Sequence, residues 1–137
     1  MPHILIVDPD SSAAQITAAG IARGLPEATV LVVPGPAEGW EEIQRQLPDA
    51  LIIDPVPYSL SAATLIRQLK TRQPHSYIVV LASTPTPALQ RELRSLQIDA
   101  YLEKPAPLSM LVTRLCNTFA GNGQMPASAP DSDSKAS

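Results

Sequence analysis

Four short apolar runs in this chain end in side chains that can do chemistry. Ile4-Leu5-Ile6-Val7 ends at Asp8, and Leu51-Ile52-Ile53 ends at Asp54. Ile78-Val79-Val80-Leu81 runs into Ala82-Ser83-Thr84, and Ala100-Tyr101-Leu102 into Glu103-Lys104-Pro105. Two carboxylates, a hydroxyl cluster and a lysine brought to one place would handle an anion. Their carboxylate oxygens would also suit a hard metal ion. The residues are far apart in sequence, so the chemistry depends on a fold that collects the ends of these runs.

The segments between the runs supply such a fold. Short apolar runs separated by longer helical patterns predict buried parallel strands with crossover helices. Strand one is about 3–7, followed by a helix from Asp10 or Ser11, either of which can cap it, to Gly24 as a left-handed stop. Strand two is 28–33, rich in β-branched residues, and Pro34-Gly35-Pro36 breaks the chain. A short helix over about 37–47 leads to strand three at 50–53. Asp54-Pro55-Val56-Pro57 is a stiff loop, because prolines remove ladder donors.

A third helix spans about 61–72, with Leu65, Ile66 and Leu69 inward, and strand four is 77–81. Helix four, about 86–96, has Pro87 in its first turn and Leu89, Leu93 and Leu96 on one stripe. Strand five is 100–102 and helix five 108–119. Right-handed crossovers between these β-α units favour an open, doubly wound, five-stranded parallel sheet with helices on both faces. Ligands of such sheets sit at the carboxyl ends of the strands, where the four runs end. Residues 121–137 hold few large apolar groups and predict a disordered tail behind a domain of residues 1–120.

Composition narrows the function. A chain of 137 residues fits one domain with a real core, and its net charge of −3 includes no Lys/Arg run that would favour nucleic acid. No apolar stretch is long enough to span a bilayer, and the first residues do not form a signal peptide, so a cytoplasmic protein is expected. The lone Cys116 falls in a helical apolar pattern and reads as a small buried hydrophobe. His3 and His75 have no partner spacing, and Trp40 reads as packing.

Taken together, the residues resemble the receiver domain of bacterial response regulators, the CheY-like superfamily, over about residues 3–119. The shared features are the acidic residue after strand one, Asp54 after strand three, a hydroxyl after strand four and Lys104-Pro105 after strand five. The stretch from Ile98 to Pro105 is the closest local match and Ile4 to Asp8 the next. The resemblance implies a flavodoxin-like (βα)5 fold and a phosphorylation switch. Asp54 would accept a phosphoryl group from a histidine kinase. Mg²⁺ would be held by Asp8, Asp54 and a backbone carbonyl at Val56. Lys104 would pair with the phosphoryl oxygens, Ser83 or Thr84 would supply the switch hydroxyl, and Tyr101 would change rotamer with it.

The chain also departs from the family. Its acidic pair is two adjacent residues, whereas Asp8-Pro9-Asp10 stands here, and Pro9 offers no carboxylate. Pro55 directly follows Asp54. Without a gap, Ala82 falls at the switch hydroxyl, and Ser83 fits only with one. These departures predict weak Mg²⁺ binding and favour a stand-alone, atypical or pseudo-receiver in which phosphorylation of Asp54 is weak or lost. A working phospho-acceptor switch is the alternative. An enzyme is not expected, because no Gly-rich phosphate loop follows strand one. Output is expected through protein partners: a histidine kinase, a phosphotransfer protein or an output protein. By analogy with receivers, the contact face combines helix four, strand five and helix five, with Arg91, Arg94, Tyr101, Leu102 and Glu103 in it. A homodimer stays open.

Overall fold

The computed structural model describes residues 1–55 and 60–123. Five strands, β1 (His3–Val7), β2 (Thr29–Val33), β3 (Ala50–Ile53), β4 (Tyr77–Ala82) and β5 (Ala100–Glu103), form one sheet in the order β2-β1-β3-β4-β5. All four neighbouring pairs are parallel. Five helices alternate with them: α1 (Ser11–Gly24), α2 (Pro36–Arg45), α3 (Leu60–Arg72), α4 (Pro87–Arg94) and α5 (Leu108–Gly123). This is the doubly wound α/β architecture expected from the pattern of runs.

Strand residues alternate between two cores, as a period of two requires. Leu5, Val7, Leu51, Ile53, Ile78 and Val80 face a core closed by Ile43 of α2, Leu65, Ile66 and Leu69 of α3, and Leu89 and Leu93 of α4. Ile4, Ile6, Ile52, Val79 and Leu81 face the opposite core, closed by Ala14 and Ile21 of α1 and by Leu111 and Leu115 of α5. Burial on both faces is why β1 and β3 read as unbroken apolar runs rather than as alternating ones.

Several boundaries shift, each for a local reason. Gly24 is not a left-handed stop: no glycine has positive φ among the described residues, and Leu25 caps α1, its N–H donating to Ile21 O. Gly24 is needed for space, because a Cβ there would lie 2.4 Å from Val112 Cγ1 of α5. Helix α4 ends at Arg94, before Leu96. Its end tightens, with the Leu96 and Gln97 N–H groups donating to the Leu93 and Arg94 carbonyls at 3.0 Å each. Gln97 then adopts φ 62°, the left-handed region, and Lys70 Nζ donates to its carbonyl at 3.1 Å. Helix α5 passes Phe119 and continues to Gly123, so the expected boundary after residue 120 falls inside a helix. The rest of the expected tail, 124–137, lies outside the described residues.

Candidate functional site

Strand register places the chemistry. Val7 pairs with both Val33 and Ile53, and Ala82 pairs with Glu103. One residue further on, the ladder still holds: Asp8 N–H donates to Val33 O at 3.0 Å, Asp54 N–H to Val7 O at 2.9 Å, and Lys104 N–H to Ala82 O at 2.8 Å. Asp8, Asp54 and Lys104 are therefore anchored through their backbones at the carboxyl edge of the sheet before any side chain is considered.

Their side chains meet. Lys104 Nζ lies 2.7 Å from Asp8 Oδ2 and 2.8 Å from Asp54 Oδ2. Asp8 is 4% exposed and Asp54 6%, so both charges are largely out of water. Buried charges persist only where they are paired and hydrogen-bonded. The remaining oxygens have partners too. Asp8 Oδ1 accepts from the Asp10 N–H at 2.8 Å, an Asx turn bridging Pro9, and Asp54 Oδ1 accepts from the Ser83 N–H at a long 3.4 Å. Asp10 does not bend back toward Asp8; its Oδ1 accepts from Ala13 N–H at 3.1 Å and caps α1. Burial alone would lower the Lys104 pKa. The hydrogen bonds and charges of Asp54 and Asp8 outweigh it and hold the ammonium above its ordinary value.

The other expected residues divide. Ser83 reaches Asp54 through its backbone N–H, while its side chain is exposed. Ala82, the last residue of β4, is fully buried beside the site. The side chain at the end of β4 is thus a methyl group, and neither Ser83 nor the exposed Thr84 presents a hydroxyl to Asp54 among the described contacts. Thr86, two residues on, uses its hydroxyl to cap α4 by accepting from Leu89 N–H at 3.0 Å. Val56 lies outside the described residues.

Tyr101 packs on the α3–α4 side of the sheet, with its hydroxyl buried and without a hydrogen-bond partner among the described residues. Arg94 lies over its ring, 5.9 Å from the centroid. Burial, and then the Glu103 carboxylate, raise the Tyr101 pKa, with Arg94 pulling the other way. Leu102 faces the opposite core, with α1 and α5. The expected contact residues therefore do not share one face of β5: Tyr101 stands with α4 and Leu102 with α5. Arg91, Arg94 and Glu103 are exposed.

The features missed in the sequence are backbone donors. The Asp10 and Ser83 N–H groups complete the coordination of the two carboxylates. Only the first has a sequence signal, the Asp-x-Asp spacing of an Asx turn. His3, read as partnerless, is held at the far end of the sheet, its Nδ1 3.0 Å from Thr29 Oγ1 and its backbone N–H 2.8 Å from Asp49 Oδ2. Trp40 is a packing residue on the α2–α3 core, with Arg72 5.9 Å from its ring centroid. Cys116 is half-buried, its thiol 3.6 Å from Gly24 O.

The donor set bears on the Mg²⁺ that the resemblance implies. Mg²⁺ needs near-octahedral oxygen ligands at short range. Among the described residues, no group of three or more His, Cys, Asp or Glu stands close enough to hold a metal ion. The two carboxylates that meet are already bridged by Lys104, Pro9 supplies no third, and Asp10 is committed to its helix. The described carboxylates left for that ion are Asp8 and Asp54, both paired with Lys104, and Val56, whose carbonyl the resemblance adds, lies outside the described residues.

No family model and no curated protein matches the sequence. Solved structures do match the fold. The signal receiver domain of a DNA-binding response regulator from Colwellia psychrerythraea 34H superposes with a TM-score of 0.79, at 14% identity, covering 88% of this chain and 99% of that one. A CheY-like response regulator receiver domain protein from Methanospirillum hungatei JF-1 gives 0.76 at 17% identity, covering 90% and 97%. The chemotaxis protein CheY4 of Vibrio cholerae gives 0.72 at 18% identity, covering 86% and 98%. The chain has the flavodoxin-like fold of CheY-like receiver domains. No helix among the described residues is long and apolar enough to cross a membrane.

Proposed function

We propose that this domain is an atypical receiver that works in two-component signal transduction by binding protein partners, with phosphorylation of Asp54 weak or lost. The observation that carries this reading is the Asp8–Lys104–Asp54 cluster built around Pro9. It keeps the receiver's acceptor carboxylate and lysine, 2.8 Å apart, without the second acidic residue after β1. Phosphoryl transfer to a carboxylate needs positive charge on the equatorial oxygens, and in receivers Mg²⁺ provides much of it. Here the acidic residues for that ion are too few, and the buried end of β4 is Ala82 where a hydroxyl would engage the phosphoryl group. A working phospho-switch is the second reading, favoured by the closeness of Lys104 to Asp54. The partner face we assign is the α4–β5 edge, where exposed Arg91, Arg94 and Glu103 border the Tyr101 ring and β5 is an edge strand, with Leu102 on the α5 side.

Beryllofluoride with Mg²⁺, a mimic of the aspartyl phosphate, tests the first reading against the second. In amide-resolved NMR of the full chain, no saturable shift is expected at Asp54, Ser83 or Lys104 at millimolar reagent. Saturable shifts at those amides that vanish in Asp54→Asn would make the phospho-switch the better description.

A further inference from the structure

We infer that Lys104 is the resident counter-cation of this site, doing with one positive charge what a divalent ion would otherwise do, and that with Pro9 beside Asp8 the site is closed to Mg²⁺ while Lys104 is in place. Its ammonium donates to both buried carboxylates, at 2.7 Å to Asp8 and 2.8 Å to Asp54. It takes one oxygen of each carboxylate, Oδ2 in both. The other oxygen of Asp8 is held by the Asp10 N–H at 2.8 Å. Among the described residues, that leaves Asp54 Oδ1, with its long 3.4 Å contact to Ser83 N–H, as the weakly engaged carboxylate oxygen in the cluster. A divalent ion entering there would meet one loose oxygen, no carboxylate from Pro9, and an ammonium of like charge beside it.

The consequence is a latch that ties separate elements together without a metal. Asp8 leads through Asp10 into the cap of α1, Asp54 reaches the start of the β4–α4 connection through Ser83, and Lys104 opens the connection to α5. The inference rests on this geometry and not on whether Asp54 accepts a phosphoryl group. A protein indifferent to Mg²⁺ could still be tested separately with acyl phosphates.

Thermal unfolding of the full chain in EDTA and in MgCl₂, at matched ionic strength, tests it. Wild type is expected to move by less than about 1 °C up to about 10 mM Mg²⁺, since an ion that binds neither state shifts nothing. Lys104→Met keeps the side-chain length and removes the charge. It should acquire a saturable Mg²⁺ response of about 4 °C or more, because two facing carboxylates then lack a cation. Pro9→Asp, with Lys104 retained, should acquire a smaller one. A wild-type response as large as that of Lys104→Met would overturn the inference, and so would a folded Lys104→Met that ignores Mg²⁺. Should that variant not fold in any Mg²⁺, Mn²⁺ line broadening in wild-type NMR spectra decides. Selective broadening at Asp8 and Asp54, beyond that at exposed carboxylates, overturns it; its absence upholds it.

Discussion

Lys104→Met is expected to destabilise the domain by about 3 kcal/mol, a large part of the stability of a domain this size. The reason is not the lost attraction alone. The Asp8 and Asp54 side chains are 5% and 2% exposed, and Lys104 is the cation that both of them touch. Removing it strands two buried charges beside each other, which costs more than the pair itself contributes. Urea unfolding in EDTA measures the loss. Adding Asp8→Asn to Lys104→Met should recover part of it, since one stranded charge is gone. The pH dependence has a definite sign. The Lys104 pKa is raised in the folded state above its ordinary value, because the hydrogen bonds and charges of Asp54 and Asp8 outweigh burial. Its contribution is therefore complete below that value and lost as pH climbs through the raised one. The stability that Lys104 lends should thus hold through neutral pH and be lost only in strong alkali. A variant as stable as wild type at neutral pH would mean the three groups are not coupled as described.

Gly24→Ala is expected to destabilise by about 2 kcal/mol, although alanine is the better helix former by up to about 1 kcal/mol. A Cβ at Gly24 would stand 2.4 Å from Val112 Cγ1, and one at Gly20 would stand 2.2 Å from Leu108 Cδ2. Leu108 can turn its tip away. Val112 is β-branched and stiff, so α1 and α5 must separate instead. The decisive measurement is a cycle by thermal or urea unfolding. In a Val112→Ala background, the same Gly24→Ala change should become neutral or stabilising, because only the propensity gain is left. Equal costs in both backgrounds would show that the glycine is not there for the contact. The pair lies near the site in the chain, since α1 and α5 are the helices that come after Asp8 and Lys104.

The legible part of the molecule was the part governed by period and by strand ends. Ile4–Val7 and Leu51–Ile53 are apolar throughout because both sheet faces are covered, and a run of that kind predicts a central parallel strand whatever helices surround it. Once those strands are parallel, Asp8, Asp54 and Lys104 fall at one edge. Details that depend on backbone groups or on distant neighbours were not legible. The Ser83 hydroxyl looked like a site group, yet its N–H is what reaches Asp54, and main-chain direction leaves no trace in residue type. Gly24 read as a stop because glycine often ends helices, but its reason lies 88 residues further along, at Val112. Tyr101 and Leu102 read as one patch, and the pleat of β5 sends them to opposite cores.

In the proposed function, Asp54 and Lys104 stand where a receiver's acceptor and lysine would, and phosphorylation of Asp54 is weak or lost. Intact-protein mass after incubation with acetyl phosphate and Mg²⁺ tests it most directly, on wild type, Pro9→Asp and Asp54→Asn in parallel. Wild type should stay unmodified, or nearly so, while Pro9→Asp, with a second carboxylate restored beside Asp8, gains a detectable fraction carrying one phosphoryl group. Stoichiometric addition of one phosphoryl group to wild type, absent in Asp54→Asn, would contradict the account.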